Sequence, residues 1–253
     1  MRIRILPSAS GDSRGGQYVT TYLIDDAVAI DAGCLGLYGT PASQRRISNV
    51  FLTHSHADHI ASLPVFVETI CAGGGSVAVY GPAETLRALS TDVFNDRIWP
   101  DYSHLPSGAR PDVRFVPIEP EHAVEVSGLR VTPIPVDHSV VTFGYVVESS
   151  ERTVVFGGDS GPTDRIWEFA RRRGDVRAVF IETSFPNDMR DLALDVGHLT
   201  PELLREEIGK LPGDASIIVT HIKPGFKETI IAEIESLRLP RLEIGVVNAA
   251  YEF

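Results

Sequence analysis

The chain has 253 residues, of which 43% are hydrophobic, so it is long enough for one large domain with a substantial core. Its 23 basic and 34 acidic side chains give a formal net charge of −11, which argues against a polynucleotide partner because such surfaces are basic. A small phosphorylated ligand is compatible with this charge, since bound metal ions reverse the local sign. No apolar run approaches the roughly 20 residues that cross a membrane, so we expect no membrane association.

Strand-like runs dominate the first fifty residues, at 2–6, 18–25, 27–31 and 49–53. A helix is predicted over 60–72, where the chain is apolar and then meets three glycines that end it. A strand at 76–80 and a helix from Pro82 to about residue 95 follow. Proline, glycine and aromatic residues then predict an irregular insertion at about 96–112.

Strands and helices alternate in the remaining chain. Strands are predicted at 113–118, 122–126, 129–136, 142–148, 153–156, 176–182, 215–220 and 242–247, and helices at 163–173, 200–211 and 227–237. Antiparallel-looking strands followed by strand–helix alternation indicate two sheets covered by helices. We expect a single domain over 1–253. The two cysteines, Cys34 and Cys71, do not make a disulfide framework and favour a reducing, cytoplasmic setting.

Four metal-competent side chains lie directly after the apolar run at 50–52. They are His54, His56, Asp58 and His59, in the pattern H-x-H-x-D-H. A strand end holds its side chains rigidly, and the loop beyond it can turn several of them toward one point. Imidazole and carboxylate suit Zn, Mn or Fe. The two pairs indicate two adjacent metals, the arrangement expected for hydrolysis of a phosphate ester or an acyl bond.

Three further motifs follow in order. They are Val136-Asp137-His138-Ser139, Phe156-Gly157-Gly158-Asp159-Ser160-Gly161 and Val219-Thr220-His221. With the first motif they resemble the metallo-β-lactamase-fold hydrolases, which implies an α/β fold, a four-layer αβ/βα sandwich with metals at one sheet edge. Segments 182–185, 197–201 and 220–224 resemble the class II cyclic-nucleotide phosphodiesterases and, less closely, the tRNA 3′-processing endonucleases. Those endonucleases carry a long basic arm where this chain has only the 21 positions from His138 to Asp159.

The resemblance implies two divalent metal ions, zinc before manganese or iron, and a ligand set. One metal receives His54, His56 and His138, the other receives Asp58, His59 and His221, and Asp159 bridges both. A carboxylate can span two metals because it has two oxygens. Asp31 is expected to support the ligands from behind, although a turn role is equally compatible with its place before a glycine.

The candidate catalytic residues are Asp58, Glu182 and His198. By resemblance, His198 contacts a phosphoryl oxygen or protonates the leaving oxygen, and it precedes a helix start at Thr200 and Pro201 that favours an anion. Glu182 would orient His198 or a ligand histidine, unless it is a surface acid.

Three residues are weaker candidates for substrate contacts. Lys223 could contact phosphate. Trp99 and Tyr102, with His104, could form a lid on which a base stacks, or they could form a subunit contact or a small satellite core. We also expect a homodimer.

The expected activity is hydrolysis of 3′,5′-cyclic nucleotides, cAMP or cGMP, to 5′-nucleotides by a metal-bridging hydroxide. Its alternative is another ester at the same metals, namely another phosphodiester, a thioester or a lactone. A redox role is disfavoured, because di-iron members of the fold usually have glutamate where this chain has His56 and lack the adjacent His59. A scaffold without activity would be expected to have lost ligands, and all seven are present.

Overall fold

The computed structural model describes residues 1–8, 17–102, 112–211 and 213–253. Within these ranges, two seven-stranded sheets form the centre of the molecule. The first runs in the order β14 (Ala250–Glu252), β1 (Arg2–Ile5), β2 (Tyr22–Ile24), β3 (Val28–Ile30), β4 (Asn49–Phe51), β5 (Ser76–Gly81), β6 (Asp112–Pro117). The second runs in the order β13 (Leu242–Ile244), β12 (Ser216–Thr220), β11 (Val176–Glu182), β10 (Thr153–Phe156), β9 (Thr142–Glu148), β8 (Leu129–Val136), β7 (Val124–Val126).

Each sheet has an antiparallel and a parallel half. Strands β14 to β3 pair antiparallel, whereas β3 to β6 pair parallel. In the second sheet β7 to β10 are antiparallel and β10 to β13 are parallel. The carboxyl ends of parallel strands are the usual place for ligand sites, so the residues after β3, β4, β10, β11 and β12 are well placed to form one.

Three hydrophobic clusters of the described residues separate four layers. The central cluster joins the two sheets without helices, and in it Phe156 and Phe180 stack at 5.0 Å. A second cluster packs Phe66 and its neighbours on α3 (Leu63–Ala72) against the outer face of the first sheet. The third packs α5 (Arg165–Arg173), α7 (Pro201–Ile208) and α8 (Lys227–Ser236) against the outer face of the second sheet. The predicted four-layer αβ/βα sandwich is therefore confirmed.

Several predicted elements have different bounds. The predicted helix over 60–72 is two helices, α2 (Ala57–Ile60) and α3. Pro64 has no backbone N–H with which to continue α2, and the Ser62 hydroxyl between the two helices donates to the Ala32 carbonyl and accepts from the Gly36 amide. The helix after Pro82 ends early as α4 (Ala83–Ala88) and continues as a wider turn at Leu89–Val93.

The strands predicted at 18–25 and 242–247 keep only three residues each. Short elements α1 (Pro41–Gln44), α6 (Arg190–Asp195) and β14 were not predicted. None of the helices in the described ranges has the length and apolar character of a membrane span.

Candidate metal centre

The H-x-H-x-D-H segment bridges the end of β4 and the start of α2. His54 and His59 are buried, while His56 lies at the position just before the helix. The backbone turns between these residues, so that the three imidazoles and Asp58 point toward one region, and the His54 ring lies 4.6 Å from His56 and 4.1 Å from His59. The segment therefore provides donors to two neighbouring positions.

The predicted ligands form two groups. The first ligand group is His54, His56 and His138, and the second ligand group is Asp58, His59, Asp159 and His221; within each, one ligand atom per residue lies within 4.8 Å of the others. Asp159 Oδ2 is 3.3 Å from Nε2 of both His59 and His221 and 4.0 Å from Nε2 of His54. This carboxylate thus stands between the two groups, where a bridging ligand would be.

The hydrogen bonds behind the second ligand group determine which ring nitrogens face inward. His59 Nδ1 donates to the Asp31 carboxylate at 2.7 Å, and His221 Nδ1 donates to Ser184 Oγ at 3.0 Å. The Nε2 atoms of both rings therefore face inward and lie 3.3 Å apart. With Nδ1–H held from behind, each ring in its neutral form offers an Nε2 lone pair to a metal ion.

In the first ligand group, hydrogen bonds from behind also determine which ring nitrogens face inward. His138 Nδ1 donates to the Gly197 carbonyl at 2.8 Å, and His54 Nδ1 lies 2.9 Å from the Thr53 hydroxyl, whose own proton is directed to Asp31. His54 Nε2 is buried and has no hydrogen-bond partner among the described residues. His56 instead turns Nδ1 inward, 3.2 Å from His138 Nε2. A buried, unpartnered nitrogen among histidine and aspartate donors fits a binuclear metal site.

Burial and neighbouring charges set the protonation of the centre. Burial lowers the pKa of His59, but the Asp159 and Asp31 carboxylates outweigh it, so the net shift is upward and a metal ion would have to displace the Nε2 proton of this ring. Burial, helped by the charge of His59, lowers the pKa of His54 far below its ordinary value. Burial by itself would raise the pKa of Asp58. The His221 and His59 rings lower this pKa by a larger amount, so the net shift is downward. Burial also opposes the charge on Asp159, yet His221 and His59 hold its pKa well below the ordinary range. Neutral imidazole and ionised carboxylate are the forms that bind metals.

His198 and Glu182 form a buried pair beside the ligands. Glu182 Oε1 accepts from His198 Nδ1 at 2.5 Å and from the Ser160 amide at 3.1 Å, and Oε2 accepts from the Leu199 amide at 3.3 Å. Glu182 is 3% exposed, so the alternative that it is a surface acid is wrong. Its hydrogen bond with His198 has the geometry that an orienting role requires. His198 in turn lies within 4.8 Å of ligand atoms of His138 and Asp159.

Helix α7 begins shortly after His198. Thr200 accepts from the Leu203 amide and Pro201 is the first helical residue, as predicted. Burial lowers the pKa of His198, but the Glu182 carboxylate outweighs it, so the net shift is upward. The upward shift favours the doubly protonated ring, in which Nε2–H is a donor.

The weaker candidates lie in two places. Lys223 Nζ lies 5.7 Å from the Phe185 ring, which contacts His198 edge-on at 5.6 Å, and the Lys223 charge opposes protonation of His198. Lys223 is thus near His198. Trp99 and Tyr102 pack against the outer core of the first sheet, which matches the satellite-core alternative, and base stacking there stays a prediction. His104 lies outside the described residues.

Four supporting groups were not predicted from the sequence. They are the Thr53 and Ser184 hydroxyls, the Gly197 carbonyl and the Gln17 side chain. Thr53 directly precedes the H-x-H-x-D-H segment and Ser184 lies within 182–185, so proximity in sequence could have indicated them. Gln17 contacts a residue more than 200 positions away, and no sequence pattern marks it.

The two-sheet sandwich and the paired ligand groups are the features of the metallo-β-lactamase fold. Residues 28–222 match the Beta-lactamase superfamily domain, and the chain belongs to that family. Among relatives, a probable 3′,5′-cyclic-nucleotide phosphodiesterase of Yersinia pestis is 26% identical, and the match covers 80% of this chain but just under two thirds (64%) of that protein. A ribonuclease Z of Archaeoglobus fulgidus is also 26% identical, and the match covers 75% of this chain and 79% of that one.

Solved structures agree on the fold. The structure of unliganded yeast PDE1 superposes with a TM-score of 0.76, at 18% identity and with 98% of both chains covered. These two relatives carry different names, cyclic-nucleotide phosphodiesterase and ribonuclease Z, at equal identity.

Proposed function

We propose that this chain is a phosphodiesterase that hydrolyses 3′,5′-cyclic nucleotides, cAMP or cGMP, to 5′-nucleotides. The observation that carries the proposal is the placement of His198 beside His138 and Asp159, with its Nδ1 held by buried Glu182 at 2.5 Å. A donor fixed next to two metal positions is suited to a phosphoryl oxygen or a leaving alkoxide. The name of the Yersinia pestis relative supports the same substrate class.

The two ligand groups would hold two divalent metals, with zinc the foremost candidate. Bound there, the metals would acidify water into a nucleophile and neutralise the charge of the phosphoryl group. Asp159 would hold its carboxylate between the two positions, and Asp31, Ser184 and Gly197 would keep the histidine rings in the required tautomer.

The chain's own residues supply the remaining steps. His198 Nε2 donates a hydrogen bond to a non-bridging oxygen or protonates the leaving 3′-oxygen. Glu182 accepts the hydrogen bond from His198 Nδ1–H, which keeps that proton on Nδ1 and fixes the ring plane. Lys223, close to His198, would attract the phosphate anion. The Asp58 carboxylate, 3.2 Å from His221 Nε2, would complete the second metal's ligands.

A ribonuclease Z-like reaction is the second candidate, because a relative of that name is equally identical. Two observations disfavour it. The chain between His138 and Asp159 is occupied by β9 and β10 and the turn at 149–152, which leaves no extended arm, and the net charge is −11. We therefore propose a small phosphodiester as the substrate and a homodimer as the assembly of this chain.

The test is a substrate panel with zinc-reconstituted protein. It compares 3′,5′-cAMP, 3′,5′-cGMP, bis(p-nitrophenyl) phosphate, a thioester, a lactone and a precursor tRNA with a 3′ extension. We expect kcat/KM for one cyclic nucleotide to exceed that for bis(p-nitrophenyl) phosphate by at least about tenfold, or ~1.4 kcal/mol. We also expect His198→Ala to lower kcat about 10²-fold or more. Cleavage of the tRNA, the thioester or the lactone without turnover of either cyclic nucleotide would overturn the proposal.

A further inference from the structure

Gln17 makes two hydrogen bonds to the backbone at 221–222. Its side-chain Oε1 accepts from the His221 amide at 2.6 Å, and its backbone amide donates to the Ile222 carbonyl at 3.2 Å. Gln17 is 6% exposed. A short hydrogen bond in a buried place is strongly directional, so it fixes where this stretch of backbone lies.

His221 needs such support because of its backbone conformation. Its φ is +54°, in the left-handed region that a residue other than glycine enters at a cost of about 1–2 kcal/mol. Ser184 contributes from the other direction, since its hydroxyl lies 3.0 Å from His221 Nδ1 and 3.1 Å from the His221 carbonyl. Without the Gln17 acceptor, a buried amide would be unpaired and the left-handed conformation would lose a main restraint.

The segment 17–20 also contacts Asp58. The Thr20 amide donates to the Asp58 carbonyl at 2.8 Å. Two of the four residues of the second ligand group are therefore bonded to this one short segment. Within the described part of the chain, no hydrogen bond joins Gln17 or Thr20 to the first ligand group.

We propose that Gln17 is a positioning residue that sets the affinity of the second ligand group for its metal and leaves the first group's affinity unaffected. The inference rests on the proposed two-metal centre. Gln17 lies outside every ligand motif. Its role would be to hold His221 where the His221 Nε2 can bind the same metal as Asp58 and His59. The expected size is that of a lost supporting hydrogen bond, about 10–100-fold in metal affinity.

The chain offers a matched control in Gln44. This glutamine is 5% exposed, and its Nε2 donates to the carbonyls of Gly36 and Tyr38 at 3.1 and 2.9 Å, in the outer layer of the first sheet. Gln44→Leu removes a buried glutamine that lies away from both ligand groups. Gln17→Leu removes a buried glutamine that lies beside the second ligand group. Gln17→Glu keeps an acceptor oxygen for the His221 amide and serves as the conservative rescue.

The experiment is zinc titration of the metal-free proteins by calorimetry, with cobalt absorption spectra as a second readout and circular dichroism to verify folding. We expect two zinc ions in the unchanged protein, one affinity lowered about 10–100-fold in Gln17→Leu with the other within about threefold, and both close to the unchanged values in Gln44→Leu and Gln17→Glu. Two unchanged affinities in Gln17→Leu would overturn the inference and leave the metal centre standing.

Equal weakening of both sites in Gln17→Leu, the same loss in Gln44→Leu, or no rescue by Gln17→Glu would also overturn it. A Gln17→Leu protein that does not fold would leave Gln17→Glu as the deciding variant, and loss of one site there would contradict the inference. Fewer than two zinc ions in the unchanged protein would refute the two-metal centre and this inference together.

Discussion

Replacing Glu182 by glutamine tests how much His198 depends on its buried partner. The carboxylate accepts from His198 Nδ1, from the Ser160 amide and from the Leu199 amide. In Glu182→Gln the amide oxygen can replace Oε1, but its NH₂ group then faces the Leu199 amide, so that donor meets donor. The charge that raises the pKa of His198 against its burial is also lost.

The expected cost follows from these contacts. A hydrogen bond to a charged group contributes about 1.5–3 kcal/mol, and an unpaired buried group costs a similar amount. If most of that free energy orients His198 in the transition state, kcat falls about 10–100-fold, which is ~1.4–2.8 kcal/mol, with KM changed far less. The melting temperature should fall by about 2–4 °C for each kcal/mol lost from a chain of this size.

Glu207→Gln is the matched control, because Glu207 is also a buried carboxylate with three partners. It accepts from Trp167 Nε1 at 2.6 Å, from the Thr163 amide at 3.2 Å and from Lys210 Nζ at 2.7 Å. The two variants should lose similar stability, measured by thermal unfolding, but steady-state kinetics should show a loss of kcat that is at least about tenfold greater for Glu182→Gln. Equal losses of kcat in both would refute the positioning role of Glu182.

Further predictions concern the supports of the centre and its metals. Asp31→Asn weakens the acceptor for His59 Nδ1, so zinc affinity at the second ligand group should fall about 10–100-fold, and calorimetry showing unchanged affinity would contradict this. Tyr145→Phe leaves the Leu52 carbonyl without its 2.6 Å donor and should lower the free energy of unfolding in urea by about 1–2 kcal/mol; no measurable loss would count against a contribution from this bond. Removing metals with a chelator should destabilise the fold by about 2.7 kcal/mol per site when free metal is 100 times Kd, and an unchanged melting temperature would speak against bound metals.

The regular strands could be predicted from the sequence because their signal is local. Strands β8 to β11 have the predicted bounds, since each is an apolar or alternating run with turn residues at its ends. The helix predicted over 60–72 is interrupted at Ser62, just before Pro64 in the first turn of α3. Pro64 was a local signal of this break, whereas the bonds from the Ser62 hydroxyl to distant backbone exist only in the folded chain.

The site shows the same division. His54, His56, Asp58 and His59 are clustered in sequence, and the family resemblance supplied the more distant ligands. The structure places all seven together, although metal binding itself stays a prediction. Gln17 is different, because its role depends on a backbone contact with His221 that only the folded chain creates.

The most direct test of the account is the product formed from 3′,5′-cAMP in ¹⁸O-labelled water by the zinc-reconstituted protein, beside Asp159→Asn. We predict 5′-AMP with one ¹⁸O in its phosphate, detected by mass spectrometry, and no product in the variant that lacks the carboxylate between the two ligand groups. No turnover of cAMP or cGMP, release of 3′-AMP alone, or undiminished activity in Asp159→Asn would contradict the proposed reaction at this centre.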